Sequence, residues 1–136
     1  MIVDTSALLA YFDANEPAHA AVAALIDGAD DALVVSPYVV AELDHLLLTR
    51  HGSQAEQAVL DELAGGAWQL AELGPARLAA AAALVRNYAD VPVGVADASL
   101  VVLADEYRTD RIATLDRRHF SVLRLHGGRP IRVLPE

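Results

Sequence analysis

Four carboxylates are placed where they could act together: Asp4, Glu42, Asp97 and Asp116. Asp4 follows the apolar pair Ile2-Val3 and precedes Thr5-Ser6, so it stands where a strand turns into a helix. Asp97 falls in the first turn of the helical stretch VADASLVVLADEY, and Asp116 closes the apolar run Ile112 to Leu115. Taken singly, each of these three would serve equally as a helix cap or as a partner of the helix dipole. Glu42 differs. Helical phasing from Pro37 puts it three residues after Val39 and four before Leu46, on the shoulder of an apolar stripe, where half-burial is expected. A buried carboxylate needs a cation, a metal or strong hydrogen bonds to offset its lost hydration, unless it reaches out to solvent. Ionised acids held close together repel and raise their own pKa values unless cations lie between them. Oxygen donors of this kind suit hard ions, Mg²⁺ or Mn²⁺, better than zinc or copper.

The elements that must position these acids follow from the apolar pattern. Ile2-Val3, Leu33 to Val35, Trp68 to Leu73, Ile112 to Leu115 and Ile131 to Leu134 read as strands, the third of them an edge strand. Helices are expected from about Ser6 to Phe12, Glu16 to Asp27, Pro37 to His51, Ser53 to Ala64, Pro75 to about Tyr88 and Ala96 to Tyr107. Pro37 and Pro75 suit first helical turns, and Ser53 with Glu56 forms a capping-box pattern. Strands separated by helices with short connections imply βαβ units, hence a largely parallel sheet with helices on both faces. In such sheets the ligand site lies outside the carboxyl ends of the strands, which is the side the acids share.

Composition narrows the chemistry further. At 136 residues the chain suits one domain, 1–136, and it has no repeat, low-complexity tract or linker to divide it. There is no cysteine, so disulfides, thiolate metal sites and a cysteine nucleophile are all excluded. All ten basic residues are arginine, and the lack of lysine removes phosphate-loop, receiver-like and haloacid-dehalogenase-like readings, which set a lysine beside the phosphate. No apolar run approaches the roughly 20 residues of a membrane span, and the first residues lack the pattern of a signal peptide. A cytoplasmic protein is expected. The net charge of −9 opposes nucleic-acid binding. Two features answer it: seven of the ten arginines fall between Arg108 and Arg132, and clustered carboxylates around a divalent ion no longer act as net negative charge.

Four blocks carry a resemblance: Ile2 to Ser6, Ser36-Pro37 through Ala41-Glu42-Leu43, Gly94 to Ala98, and Thr114-Leu115-Asp116. In this order and spacing they resemble the signature blocks of PIN-domain nucleases, in particular the VapC toxins of bacterial toxin–antitoxin pairs, and they cover nearly the whole chain. The resemblance implies a three-layer α/β/α sandwich with a central parallel sheet of about five strands. It also implies a Mg²⁺- or Mn²⁺-dependent endoribonuclease that acts on tRNA or ribosomal RNA to inhibit translation. Asp4, Glu42, Asp97 and Asp116 match the catalytic, metal-binding acids, and Thr5, Ser6 and Thr114 match the polar residues beside them. A homodimer and a VapB antitoxin that covers the acidic site are implied as partners. VVSPYVVAELD and TLDRRHF are similar to mycobacterial-type members that attack the sarcin–ricin loop. Many relatives place Phe three residues after the last acid, whereas Phe120 comes four after Asp116, which leaves the helix following that acid open.

Arg117 and Arg118 adjoin the last acid and could hold RNA phosphates, although exposed arginine pairs also occur without such a role. The histidines, His119 among them, lack metal-ligand spacing and are expected at the surface. Asp13, Asp44, Asp61, Asp105 and Asp110 read as solvated charges or caps. Two other functional classes fit the same elements: a PIN-like binding module without catalysis, and a metal-dependent phosphatase or DNA nuclease. An apolar fraction of 54% fits contact with other chains, or simply an alanine-rich core.

Overall fold

A computed structural model describes residues 1–136. Its elements run β1 (Ile2–Val3), α1 (Thr5–Phe12), α2 (His19–Asp27), β2 (Val34–Val35), α3 (Pro37–His51), α4 (Ser53–Ala64), β3 (Gln69–Leu70), α5 (Pro75–Asn87), α6 (Val95–Glu106), β4 (Arg111–Ala113), α7 (Arg117–Phe120) and β5 (Arg132–Leu134). The five strands form one sheet in the order β3-β2-β1-β4-β5, and every pairing is parallel. The expected α/β sandwich is therefore present. No helix is long and apolar enough to cross a membrane.

The strand order explains the placement of the site. From β1 the chain steps to β2 and β3 on one side, then returns across the sheet to β4 and moves on to β5. Because parallel crossovers are right-handed, α1 to α4 cover one face and α5 and α6 the other. The connections leaving β1 and β4 thus part in opposite directions, which opens a crevice at the carboxyl ends of these two central strands. Ile2, Val3, Val34, Val35, Ile112 and Ala113 are all buried, as expected for strands covered on both faces. β3 closes one edge and exposes both of its residues.

Local chemistry sets the boundaries. Ser36 caps α3, its Oγ accepting from the Tyr38 amide at 3.2 Å, and Pro37 occupies the first helical position. Two expectations are corrected. The Ser53–Glu56 capping box does not form: Gly52, at φ +87°, ends α3 and starts α4, so Ser53 is already helical and the Glu56 amide bonds to the Gly52 carbonyl. The second helix begins at His19 rather than Glu16. A turn held by Asp13, which accepts from Asn15 N and Glu16 N, carries the chain past Pro17 first. The segment after Asp116 resolves into a single helical turn, α7, anchored by the fully buried Phe120.

Candidate metal centre

Asp4 ends β1 and caps α1. Its extended backbone (φ −85°, ψ 163°) keeps the Asp4 amide in the sheet ladder, bonded to the Ala113 carbonyl at 2.9 Å, while its side chain turns to the start of the helix. Oδ1 accepts from the Thr5 amide at 2.7 Å; Oδ2 accepts from Thr114 Oγ1 at 2.7 Å and from Ser6 Oγ at 3.1 Å. Both hydroxyls are themselves polarised by backbone donors. The Leu115 amide donates to Ser6 Oγ at 2.9 Å and the Asp116 amide to Thr114 Oγ1 at 3.0 Å. Asp4 is only 7% exposed. Burial raises its pKa above the ordinary carboxylate range; the hydrogen bonds from Thr114, Thr5 and Ser6 pull against that shift, and the Glu42 charge adds to it.

Asp97 enters from α6, the helix that feeds β4 and whose first turn therefore lies at the carboxyl end of the sheet. Its pKa is pushed up to about 6, first by burial and then by the charge of Asp4, with Asp116 and Glu42 contributing and His119 opposing. Asp116 follows β4 and caps α7, its Oδ1 accepting from the His119 amide at 3.2 Å. Glu42 stands on α3, close enough for its charge to reach both Asp4 and Asp97. The helix carrying it is tied to α6 by a buried bond of 2.8 Å between Ser36 Oγ and Ser99 Oγ, and Ser99 also donates to the Ala96 carbonyl at 2.6 Å.

The half-burial expected of Glu42 is corrected: its side chain is exposed. Its helix buries Val39, Leu43 and Leu47, so the stripe runs beside Glu42 and leaves the acid at the mouth of the crevice. Thr5 contributes its backbone amide, whereas its buried hydroxyl has no partner. His119 overturns its expected surface role. Its Nδ1 lies 2.9 Å from Asp116 Oδ2 and 3.1 Å from Asp97 Oδ2, and the side chain is 19% exposed. Single-turn spacing from Asp116 was the available signal, hidden because the helix after that acid was left open. Ser99, two residues after Asp97, was missed because a serine inside a helix carries no pattern of its own.

Arg117 donates to the Pro135 carbonyl and so fastens the segment after β5. Arg118 is exposed and its guanidinium has no partner in the chain. Asp97, Asp116 and His119 offer ligand atoms within 4.8 Å of one another, and the charges of Asp4 and Glu42 reach Asp97. This donor set fits a divalent cation. Buried like charges that raise one another's pKa are the electrostatic counterpart of a site built around positive charge.

Comparison with known proteins is consistent with this geometry. The PIN domain family profile matches residues 1–124. The chain is 64% identical to Ribonuclease VapC26 of Mycobacterium tuberculosis over 135 residues, which spans 99% of this chain and 100% of that protein. The crystal structure of M. tuberculosis VapC20, a sarcin–ricin loop cleaving toxin, superposes with a TM-score of 0.78 at 17% identity, covering 85% of this chain and 88% of the other. FitAcB from Neisseria gonorrhoeae superposes with a TM-score of 0.58 at 18% identity, covering 85% and 86%.

Proposed function

The chain belongs to the PIN-domain family, as a ribonuclease of VapC type, and from that premise we propose that Asp4, Glu42, Asp97 and Asp116 hold Mg²⁺ or Mn²⁺ where RNA is cut. The observation that carries this reading is the convergence of acids from the β1–α1 and β4–α7 junctions, α3 and α6 on the crevice between β1 and β4. When bound, the cation supplies a water of lowered pKa and neutralises charge gathering on the phosphate.

The chain's own residues do the rest. Ser6, Thr114 and the Thr5 amide hold both Asp4 oxygens in one orientation, so no reorganisation is needed when the site fills. Asp97, which takes up a proton near pH 6, must give it up to serve as a ligand. Arg118 meets the RNA phosphate with its free guanidinium, while Arg117 steadies the turn it starts from. Water oxygen bonds to phosphorus, the bond to the 3′ oxygen breaks and that oxygen takes a proton, leaving a 5′-phosphate and a 3′-hydroxyl.

The similarity of the VVSPYVVAELD and TLDRRHF blocks to mycobacterial-type members makes ribosomal RNA, at the sarcin–ricin loop, the substrate we place first, ahead of tRNA. Such a substrate lies in the cytoplasm. A VapB-type antitoxin would cover the acids, and exposed Val95, Leu115 and Val122 offer apolar contacts near them in sequence. Exposed Leu78 and Val85, one turn-pair apart on α5, suit a second copy of the chain.

The test is cleavage of total RNA by antitoxin-free protein with Mg²⁺ or Mn²⁺, followed by mapping of new 5′ ends. Asp4→Asn, Asp97→Asn and Glu42→Gln should each lower the rate by roughly two decades or more, since losing several kcal/mol of transition-state stabilisation costs a decade per ~1.4 kcal/mol. Undiminished cleavage in excess chelator would reject the metal-dependent reading. Hydrolysis of DNA or of a small phosphate ester in preference to RNA would reject the substrate class.

A further inference from the structure

His119 lies inside the acid cluster, within ion-pair distance of two carboxylates at once. Its Nδ1 is 2.9 Å from Asp116 Oδ2 and 3.1 Å from Asp97 Oδ2, yet it is buried and makes no aligned hydrogen bond with either oxygen. A buried ring nitrogen between two acceptors, directed at neither, is costly unless a further group stands where it points. A divalent cation fits that spacing, and Asp97, Asp116 and His119 together offer it ligand atoms. Donor atoms on neighbouring vertices of an octahedral ion with bonds of ~2.1 Å lie ~3.0 Å apart, which both nitrogen–oxygen distances match. The ring is also held in place: Phe120, the next residue, is fully buried, and the His119 amide is tied to Asp116 Oδ1.

We propose that His119 Nδ1 is a ligand of the divalent cation, adding nitrogen to an otherwise all-carboxylate set and turning the site's preference from Mg²⁺ toward Mn²⁺. Imidazole suits borderline first-row ions, whereas Mg²⁺ prefers oxygen and parts reluctantly with its waters. This inference rests on the proposed carboxylate site. It requires the tautomer with the proton on Nε2, which leaves the Nδ1 lone pair free.

Two measurements on the whole protein test it, neither of which reads activity. The first is calorimetric titration of metal-free wild-type, His119→Ala and Asp97→Asn proteins with Mn²⁺ and with Mg²⁺. The His119→Ala substitution should weaken Mn²⁺ binding about tenfold or more and change Mg²⁺ binding less than about threefold. The second is ¹⁵N NMR of histidine-labelled wild-type protein titrated with diamagnetic Zn²⁺. The His119 Nδ1 resonance should shift in step with occupancy, a readout that does not depend on how the variant folds. Zn²⁺ binding that is lost in Asp97→Asn but leaves the wild-type Nδ1 resonance unmoved would overturn the role of His119 while keeping the carboxylate site. Absence of ion binding, or binding indifferent to Asp97→Asn, would overturn both.

Discussion

At the scale of single residues, Asp97 contributes a distinct pH dependence to the metal-free protein. A carboxyl that titrates near pH 6 when folded, against 3.8 ordinarily, binds its proton more tightly in the folded state. Folding stability therefore rises as pH falls through about 6, and the cost of keeping Asp97 charged is fully present above that pH. Denaturant titrations of metal-free protein between pH 7.5 and 5 should reveal a contribution of about 1 kcal/mol that Asp97→Asn abolishes, the variant being the more stable at pH 7.5. Parallel pH profiles for the two proteins would mean that Asp97 is not in this environment. Thr114 makes the opposite case. Its fully buried hydroxyl donates to Asp4 and accepts from the Asp116 amide, so Thr114→Val leaves a buried carboxylate short of a donor. A loss of about 1–3 kcal/mol is expected in the same titrations; a neutral effect would mean that water replaces the hydroxyl.

Among the elements, the pairing of α3 with α6 decides whether Glu42 faces Asp97. The Ser36–Ser99 bond joins the two helices near their first turns, and Ser36 is also the cap of α3. Ser36→Ala should destabilise by ~1 kcal/mol through the lost cap alone. Combined with Ser99→Ala, the loss should fall short of the sum of the single effects by about 0.5 kcal/mol or more, because the two side chains share one bond. Strict additivity in thermal or denaturant unfolding would show that the bond does not couple the helices. Elsewhere the elements were legible because each has a strong local cause: β-branched pairs for β2, proline at the first position of α3 and α5, and an apolar run for α6. The junction of α3 and α4 was not, since the left-handed backbone of Gly52 overrode the Ser53 cap pattern.

For the molecule as a whole, charge rather than packing links folding to function. The basic C-terminal quarter that seemed to answer the net charge is largely spent internally. Arg111 pairs with Asp31, Arg129 with Asp105 and Arg132 with Glu136, and Arg117 and Arg124 bond to carbonyls. Of the seven arginines in that quarter, Arg108 and Arg118 keep exposed guanidiniums without a partner in the chain, and on the proposed function they and the metal centre would supply the attraction for RNA. A cation bound only by the folded chain should stabilise it by ~2.7 kcal/mol at one hundred times its dissociation constant. Since Asp97 is protonated below about pH 6, that stabilisation should shrink, and proton release on binding should grow, between pH 7.5 and 5.5. Thermal unfolding and calorimetry in buffers of different ionisation enthalpy measure both. A stabilisation independent of pH would place the cation away from Asp97.

The sequence by itself determined the parallel α/β architecture, the strand and helix order, and four acids at positions facing one end of the sheet. These are local consequences of apolar period, proline and cap residues, and of the rule that strand ends carry the site. The tertiary structure alone decided which side chains meet. It brought His119 against Asp97 and Asp116, linked Ser36 to Ser99, drew Arg117 to the C-terminal segment, and left Glu42 in solvent at the rim. Side-chain contacts of this kind join residues 63 positions apart in Ser36 and Ser99, and 110 apart in Asp4 and Thr114. They depend on the angle at which two helices lie on a sheet, a quantity fixed by the packing of the whole core rather than by the pattern of any one segment.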